Sequence, residues 1–276
     1  MPAGGMQIFV DESNPMPTAL TLLVPGALPP APLLPQLLDR GALPALHRLL
    51  AAGTTATEAH DDPWLRSDSA ERWLAHAAGI PVDADGAIAA APWLYRADHG
   101  SAPGADLVCI EPVHLHVARD HLQLVAPAAL ALRADETAAL LAAAAPALGE
   151  LTIDARHPQR WYLSAPALAR CTTTTPARAA GHSIDVWMPA SRDPLDARGW
   201  RKLQNEIQML WHDHPINAAR AAAGLLPVNS VWLHGGHPGS PATPADWRFD
   251  AVTLHGDWPL FTGAAANQRT PLQHGE

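Results

Sequence analysis

Between residues 197 and 236 the sequence leaves the backbone little freedom. Trp200, Leu203, Ile207, Leu210 and Trp211 recur at three- and four-residue spacing. A helix over about 197–213 therefore presents one apolar stripe that must be buried. Asn205, Gln208 and His212 lie on its polar face, and Pro215 ends it. Next comes His214-Pro-Ile-Asn217-Ala-Ala-Arg220-Ala-Ala-Ala-Gly224-Leu-Leu-Pro227-Val-Asn229-Ser-Val-Trp232-Leu-His-Gly235-Gly236. Prolines, asparagines and glycines in this arrangement predict a rigid loop structure held by specific hydrogen bonds. Asn217 and Asn229 either tie backbone to backbone or face a ligand. Arg220 carries the planar fork that fits carboxylate or phosphate; a local salt bridge with an architectural role is the competing reading. His214, Asn217, Arg220 and Asn229 form the candidate ligand-binding set. His212 and His214 stand at a helix end, where imidazole groups satisfy free carbonyls.

The rest of the chain alternates short apolar runs with helical patterns. Leu20 to Val24 reads as a buried strand stopped by Pro25-Gly26. Leu43, Leu46, Leu49 and Leu50 predict a helix closed at Gly53. A second helix starts at Ser69, with Trp73 and Leu74 inward, and stops at Gly79, while residues 81–104 read as a connection. Leu107 to Val117 and Leu122 to Val125 predict two strands joined by the polar turn 118–121. A helix follows from Asp135, then strands near 151–153 and 161–163, a Thr-rich loop at 172–175, and a strand at 231–233. A final strand lies at 251–254, with a short helix from about Trp258. Three regions result: 18–105, 106–236 as a compact α+β unit, and 237–276.

Composition removes several function classes. The net charge of −9 speaks against nucleic acid or an anionic membrane as partner, since both need basic surfaces. Lys202 is the only lysine, so lysine chemistry has one candidate. Cys109 and Cys171 are the only cysteines and lie far apart, giving neither a disulfide framework nor a thiolate zinc motif. Apolar stretches are too short to span a bilayer and no leader is visible, which points to the cytoplasm.

Other constellations offer chemistry. His114 and His116 face one way on a strand, with His121 nearby, and could share a metal; a solvated strand face, with Val113, Leu115 and Val117 inward, is the plainer reading. Ser67, Asp68 and Ser69 precede a helix. There they either cap free N–H groups or place a hydroxyl or phosphate at the positive helix end.

The stretch 214–236 closely resembles a signature of the archaeal-type cofactor-independent phosphoglycerate mutases, and the likeness continues in order along most of the chain. Leu22 to Gly26 and Leu43 to Leu46 resemble that family's opening strand and helix, Arg66 to Ala70 its nucleophile segment, Val108 to Val125 its inserted strand pair, and Thr172 to Pro176 its Thr-Pro loop. Ala251 to Ala265 is similar to the strand and helix returning to the core. The resemblance implies an α/β fold: a partial alkaline-phosphatase-like sheet with helices, carrying a smaller α+β inserted domain. A homodimer would cover the exposed face of such a partial parallel sheet.

Family members transfer a phosphoryl group with a serine nucleophile and two divalent cations, normally Mn, Zn or Mg. Ser67 stands at the nucleophile position. Yet Pro25 stands where the family's first metal-ligating Asp precedes Gly26. The family's later ligands and its lysine follow the returning helix, and the matched region stops at Glu276 before them. Asp250, His255 and Asp257 do not replace them, and Lys202 sits on another element. The chain is also similar to the shortened RpfE-type regulatory proteins of proteobacteria, through Trp161 to Leu163, Asn205 to Met209 and the His214–Asn217 stretch. The expectation is a catalytically silent protein with no metal or cofactor, binding a small phosphorylated metabolite or a protein partner. The alternative is an active mutase or phosphatase using Ser67, with Mn, Zn or Mg recruited by His114, His116 or His121.

Overall fold

The computed structural model describes residues 21–24, 48, 51–52, 62, 64–101, 103–239, 253–255, 258–265 and 273–275. The chain divides into two compact units, Met1–Thr57 and Glu58–Glu276. In the first, Arg48, Ala51 and Ala52 are helical. Residues 21–24 form no strand and Leu22 and Val24 are half exposed, so the buried opening strand is not found there. Pro25, Gly26 and the leucines at 43, 46, 49 and 50 lie outside the described residues, as do Asp250 and Asp257.

The second unit opens with α1 (Ser69–Ala78), fixed at its start by a capping box: the Asp68 carboxylate accepts from the Glu71 N–H while Glu71 accepts from the Asp68 N–H. Gly79, at φ 68°, ends it in the left-handed conformation that favours glycine. Leu74 is fully buried but Trp73 lies partly exposed, so the inner face is narrower than expected. Helix α2 (Ala91–His99) interrupts the region read as a connection. Pro92, which looks like a breaker, sits in its first turn, where the missing N–H does no harm. Strands β1 (Leu107–Val117) and β2 (Leu122–Val125) follow, then α3 (Ala134–Leu148), β3 (Trp161–Ser164) and the single turns α4 (Pro166–Ala169) and α5 (Pro176–Ala179). The amphipathic helix α6 (Pro194–Trp211) begins three residues before the expected start at 197, because Asp193 caps it and Pro194 is compatible with the first turn. Helix α7 (Pro215–Ala222) and β4 (Ser230–His234) come next, then β5 (Thr253–His255), α8 (Pro259–Ala265) and β6 (Gln273–Gly275).

The fold is mixed α/β, with helices around a small sheet. Strand β1 is the hub of a four-stranded sheet, paired antiparallel with β2, β3 and β4. Among the described strands, the separate pair β5–β6 is parallel. Cys109 stands opposite Tyr162 on one side and His234 on the other. The alternating pleat then sorts side chains to two faces. Val108, Ile110, Trp161, Leu163, Val231 and Leu233 pack with Leu140 and Ala144 of α3 and with the α6 stripe. On the opposite face Leu107, Cys109 and Tyr162 meet α1, α2 and α8, while Val113, Leu115 and Trp232 meet Leu124, Ile184 and Trp187. Val117, expected inward, is 74% exposed at the strand's end, whereas His114 is buried.

Helices α2 and α8 approach so closely that a Cβ at Gly263 would collide with the Trp93 backbone carbonyl. Backbone cannot yield as a flexible side chain can. Gly263→Ala is therefore expected to destabilise the protein by about 1–3 kcal/mol despite its better helix propensity, measured as a lower urea midpoint at unchanged slope.

Candidate functional site

Residues 214–229 form a knot of internal hydrogen bonds. His214 caps α7 rather than closing α6: its Nδ1 accepts from the Ile216 N–H. The chain reverses direction at His212 and Asp213, so the second histidine meets donors, not the free carbonyls expected of a helix C-terminus. Asn217 donates to the carbonyls of Trp211 (2.9 Å) and Val228 (2.8 Å) and accepts from the Val228 N–H (2.8 Å). Asn229 accepts from the Leu115 N–H and donates to the Leu115 carbonyl, so its amide supplies one more rung alongside β1. Arg220 is 2% exposed. Its Nε donates to Leu226 O, Nη2 to Leu130 O, and Nη1 to both Glu136 oxygens at 3.0 Å. Glu136 in turn accepts from the Arg133 N–H at the start of α3. The four expected ligand-binding residues are thus brought near one another, each with protein partners of its own.

Ser67 lies immediately before the capped α1. It is 0% exposed, and its Oγ donates to the Gly86 carbonyl. Arg72 donates to the Ser67 carbonyl. Around it Arg66 donates to Thr174 Oγ1 (3.1 Å) and Met188 O (3.2 Å), and Thr175 Oγ1 donates to Glu71 (2.8 Å). Burial, reinforced by Asp68, pushes the Glu71 carboxyl up to about 7. The Thr-Pro loop therefore serves as the lid of the α1 N-terminus: its hydroxyls answer buried polar groups there.

A second polar group occupies the sheet face above β1. Cys109 and Glu111 stand two residues apart on β1, and His234 lies opposite Cys109 on β4. His234 Nε2 is 2.9 Å from Glu111 Oε1. One potential ligand atom from each of the three residues lies within 4.8 Å of the others, and no other such group of three is found among the described residues. Next to it Arg160 grips Asp98 through two nitrogens, and Tyr162 donates to the same carboxylate. Burial works to raise the Asp98 carboxyl, but these bonds to Arg160 and Tyr162 outweigh it and hold the group below the usual range. Burial, with the neighbouring Cys109 and Asp98, raises the Tyr162 phenol strongly, and burial with Glu111 raises the Cys109 thiol. The spacing Cys109-x-Glu111 on a strand was the available sequence signal; His234, more than a hundred residues away, is joined only by pairing.

The histidines named for metal recruitment do not assemble. His114 Nδ1 faces the Pro227 carbonyl at 2.9 Å, and the His114 and His116 rings stand 6.3 Å apart. His121 pairs with Asp120 and Gln123 at the turn.

No protein-family model matches this sequence, and no curated protein matches it. Among solved structures it is similar to a cofactor-independent phosphoglycerate mutase from Thermoplasma acidophilum DSM 1728, at 16% identity and TM-score 0.40, over 67% of this chain and 52% of that one. It is also similar to the PH0037 protein from Pyrococcus horikoshii, at 14% identity and TM-score 0.35, over 78% and 50%. The chain thus spans about half the length of either structure.

Two outcomes are expected. Arg220→Ala leaves Glu136 buried without its partner and costs about 3–5 kcal/mol, and the double variant with Glu136→Ala costs less than the sum of the single changes; urea unfolding reads both. Glu71 holds its proton more tightly folded than unfolded, so its contribution is complete below about pH 4.5 and is lost as pH rises through about 7. Glu71→Gln keeps an acceptor oxygen and should flatten stability across that window.

Proposed function

We propose that this chain is a catalytically silent, phosphoglycerate-mutase-like regulatory protein that acts in the cytoplasm by binding a protein partner. The observation that carries the reading is the state of Ser67. A nucleophilic hydroxyl must reach its substrate and must have a base or cation to activate it. Ser67 is sealed from solvent, and its Oγ is bonded to a backbone carbonyl, which cannot take a proton. The groups suited to an anion point the same way, because Arg220 is buried and already engaged by Glu136 and two carbonyls. That leaves a small phosphorylated metabolite without its expected receptor and favours a protein.

A groove beside α6 supports this reading. An open groove of about 430 Å³ runs between α3, α4 and α6, floored by apolar Ala147, Leu151, Leu168 and Leu203 and edged by Lys202 and Glu206. An apolar floor with a charged rim is the usual anatomy of a protein interface. Cys109 and Cys171 are free thiols, in keeping with a reducing compartment.

Purified protein is expected to show no turnover of phosphoglycerates or a generic phosphate ester with Mn, Mg or Zn, with Ser67→Ala indistinguishable from the parent. Turnover abolished by Ser67→Ala would sink the proposal. Gly199 faces open space in the groove, so Gly199→Glu should fold normally yet lose a partner that the parent captures in pull-downs.

A further inference from the structure

We propose that Cys109, Glu111 and His234 form a binding site for one zinc ion, which clamps β1 to β4. The placement comes from the sheet itself. Cys109 and His234 are direct cross-strand partners, and Glu111 follows Cys109 on the same face. Three ligands from two paired strands are held by backbone hydrogen bonds rather than by a loop. Their potential ligand atoms already lie within 4.8 Å of one another. Around a tetrahedral ion with ordinary zinc bond lengths such atoms stand roughly 3.5 Å apart. Closing on the cation therefore takes side-chain rotations of about an ångström, with no movement of the strands.

A second, independent observation lies in the imidazole. His234 is 2% exposed, and its Nδ1 is buried with no hydrogen-bond partner. An orphaned polar atom of this kind carries its desolvation cost uncompensated. The ring's Nε2 lies 2.9 Å from Glu111 Oε1, so imidazole and carboxylate already converge on one spot.

Donor chemistry selects the metal. Thiolate and imidazole are ligands for zinc and its borderline neighbours, whereas Mg and Ca prefer an all-oxygen shell. Charge agrees with this choice: a thiolate and a carboxylate together neutralise a dication, which removes the penalty of burying an isolated charge. The adjoining Asp98–Arg160 pair is already balanced and hydrogen-bonded to Tyr162, so it does not compete for the cation. Binding exchanges the Cys109 proton for the metal, and water completes the fourth position. The proposal stands apart from the silent-binding reading, since it concerns neither Ser67 nor turnover.

The test titrates Co2+, which reports thiolate ligation by a near-ultraviolet charge-transfer band, into the full-length protein under reducing conditions. One equivalent should bind, develop that band with tetrahedral visible absorption, and be displaced by Zn2+. Zn2+ should also raise the thermal midpoint. Cys109→Ser should abolish the band while Cys171→Ser retains it, and Glu111→Gln or His234→Gln should weaken binding at least tenfold. Folded parent protein that develops no thiolate band overturns the proposal, whatever the variants do. So does a band that survives Cys109→Ser or disappears with Cys171→Ser.

Discussion

Antiparallel pairing along β1 is the constraint on which the second unit depends. β1 spans eleven residues and every other strand of the four-stranded sheet bonds to it, so its register decides which side chains share a surface. A slip of one residue would exchange Val108 and Ile110 for Cys109 and Glu111 on the face packed by α3 and α6. That would place a carboxylate among Trp161, Trp200 and Trp211, the centre of the largest apolar cluster. The cost of burying an unpaired charge there fixes the register. The same rule collects Cys109, Glu111, Arg160, Tyr162 and His234 on the opposite side, where each can meet a polar neighbour.

The loop before β4 applies this logic with amides and a guanidinium. The carbonyls of Leu226 and Val228 in the loop before β4, of Trp211 at the end of α6 and of Leu130 ahead of α3 all receive side-chain donors. Asn217 and Arg220 supply those bonds, and Asn229 continues the edge of β4 against Leu115. Glu136 then neutralises the buried guanidinium from α3. Apolar packing alone could not fix this turn, because buried backbone groups must be satisfied wherever the chain passes. Trp211 Nε1, donating to Leu140 O, ties the two helices over the same sheet face.

Much of this was legible from the residues. The hairpin of β1 and β2, the limits of α1 and the α6 stripe follow from period, caps and turn residues, and the structure places them accordingly. Helix α2 was not legible, since Ala90-Ala-Pro reads as a break until the proline is recognised as a first-turn residue. The partners of β1 beyond β2 were not legible either. Strands β3 and β4 lie far from β1 in sequence, so no turn signal announces their pairing with it. His234 could not be joined to Cys109 by spacing, because the link exists only through strand pairing. Nor could residue type reveal that Arg220 faces Glu136: an arginine built for phosphate is built equally well for a carboxylate of its own chain.

That last ambiguity bears on what a preserved signature means. The residues from 214 to 229 that were expected to face a ligand bond instead to backbone and to Glu136. Residues that hold a turn together in this way are explained by the fold alone. Catalysis asks for something different: an accessible nucleophile, a base or cation beside it, and space for the leaving group. At Ser67 the backbone carbonyl of Gly86 occupies the hydrogen-bonding position that such a base would need. Function therefore has to be read from the surfaces and buried polar groups that this architecture positions.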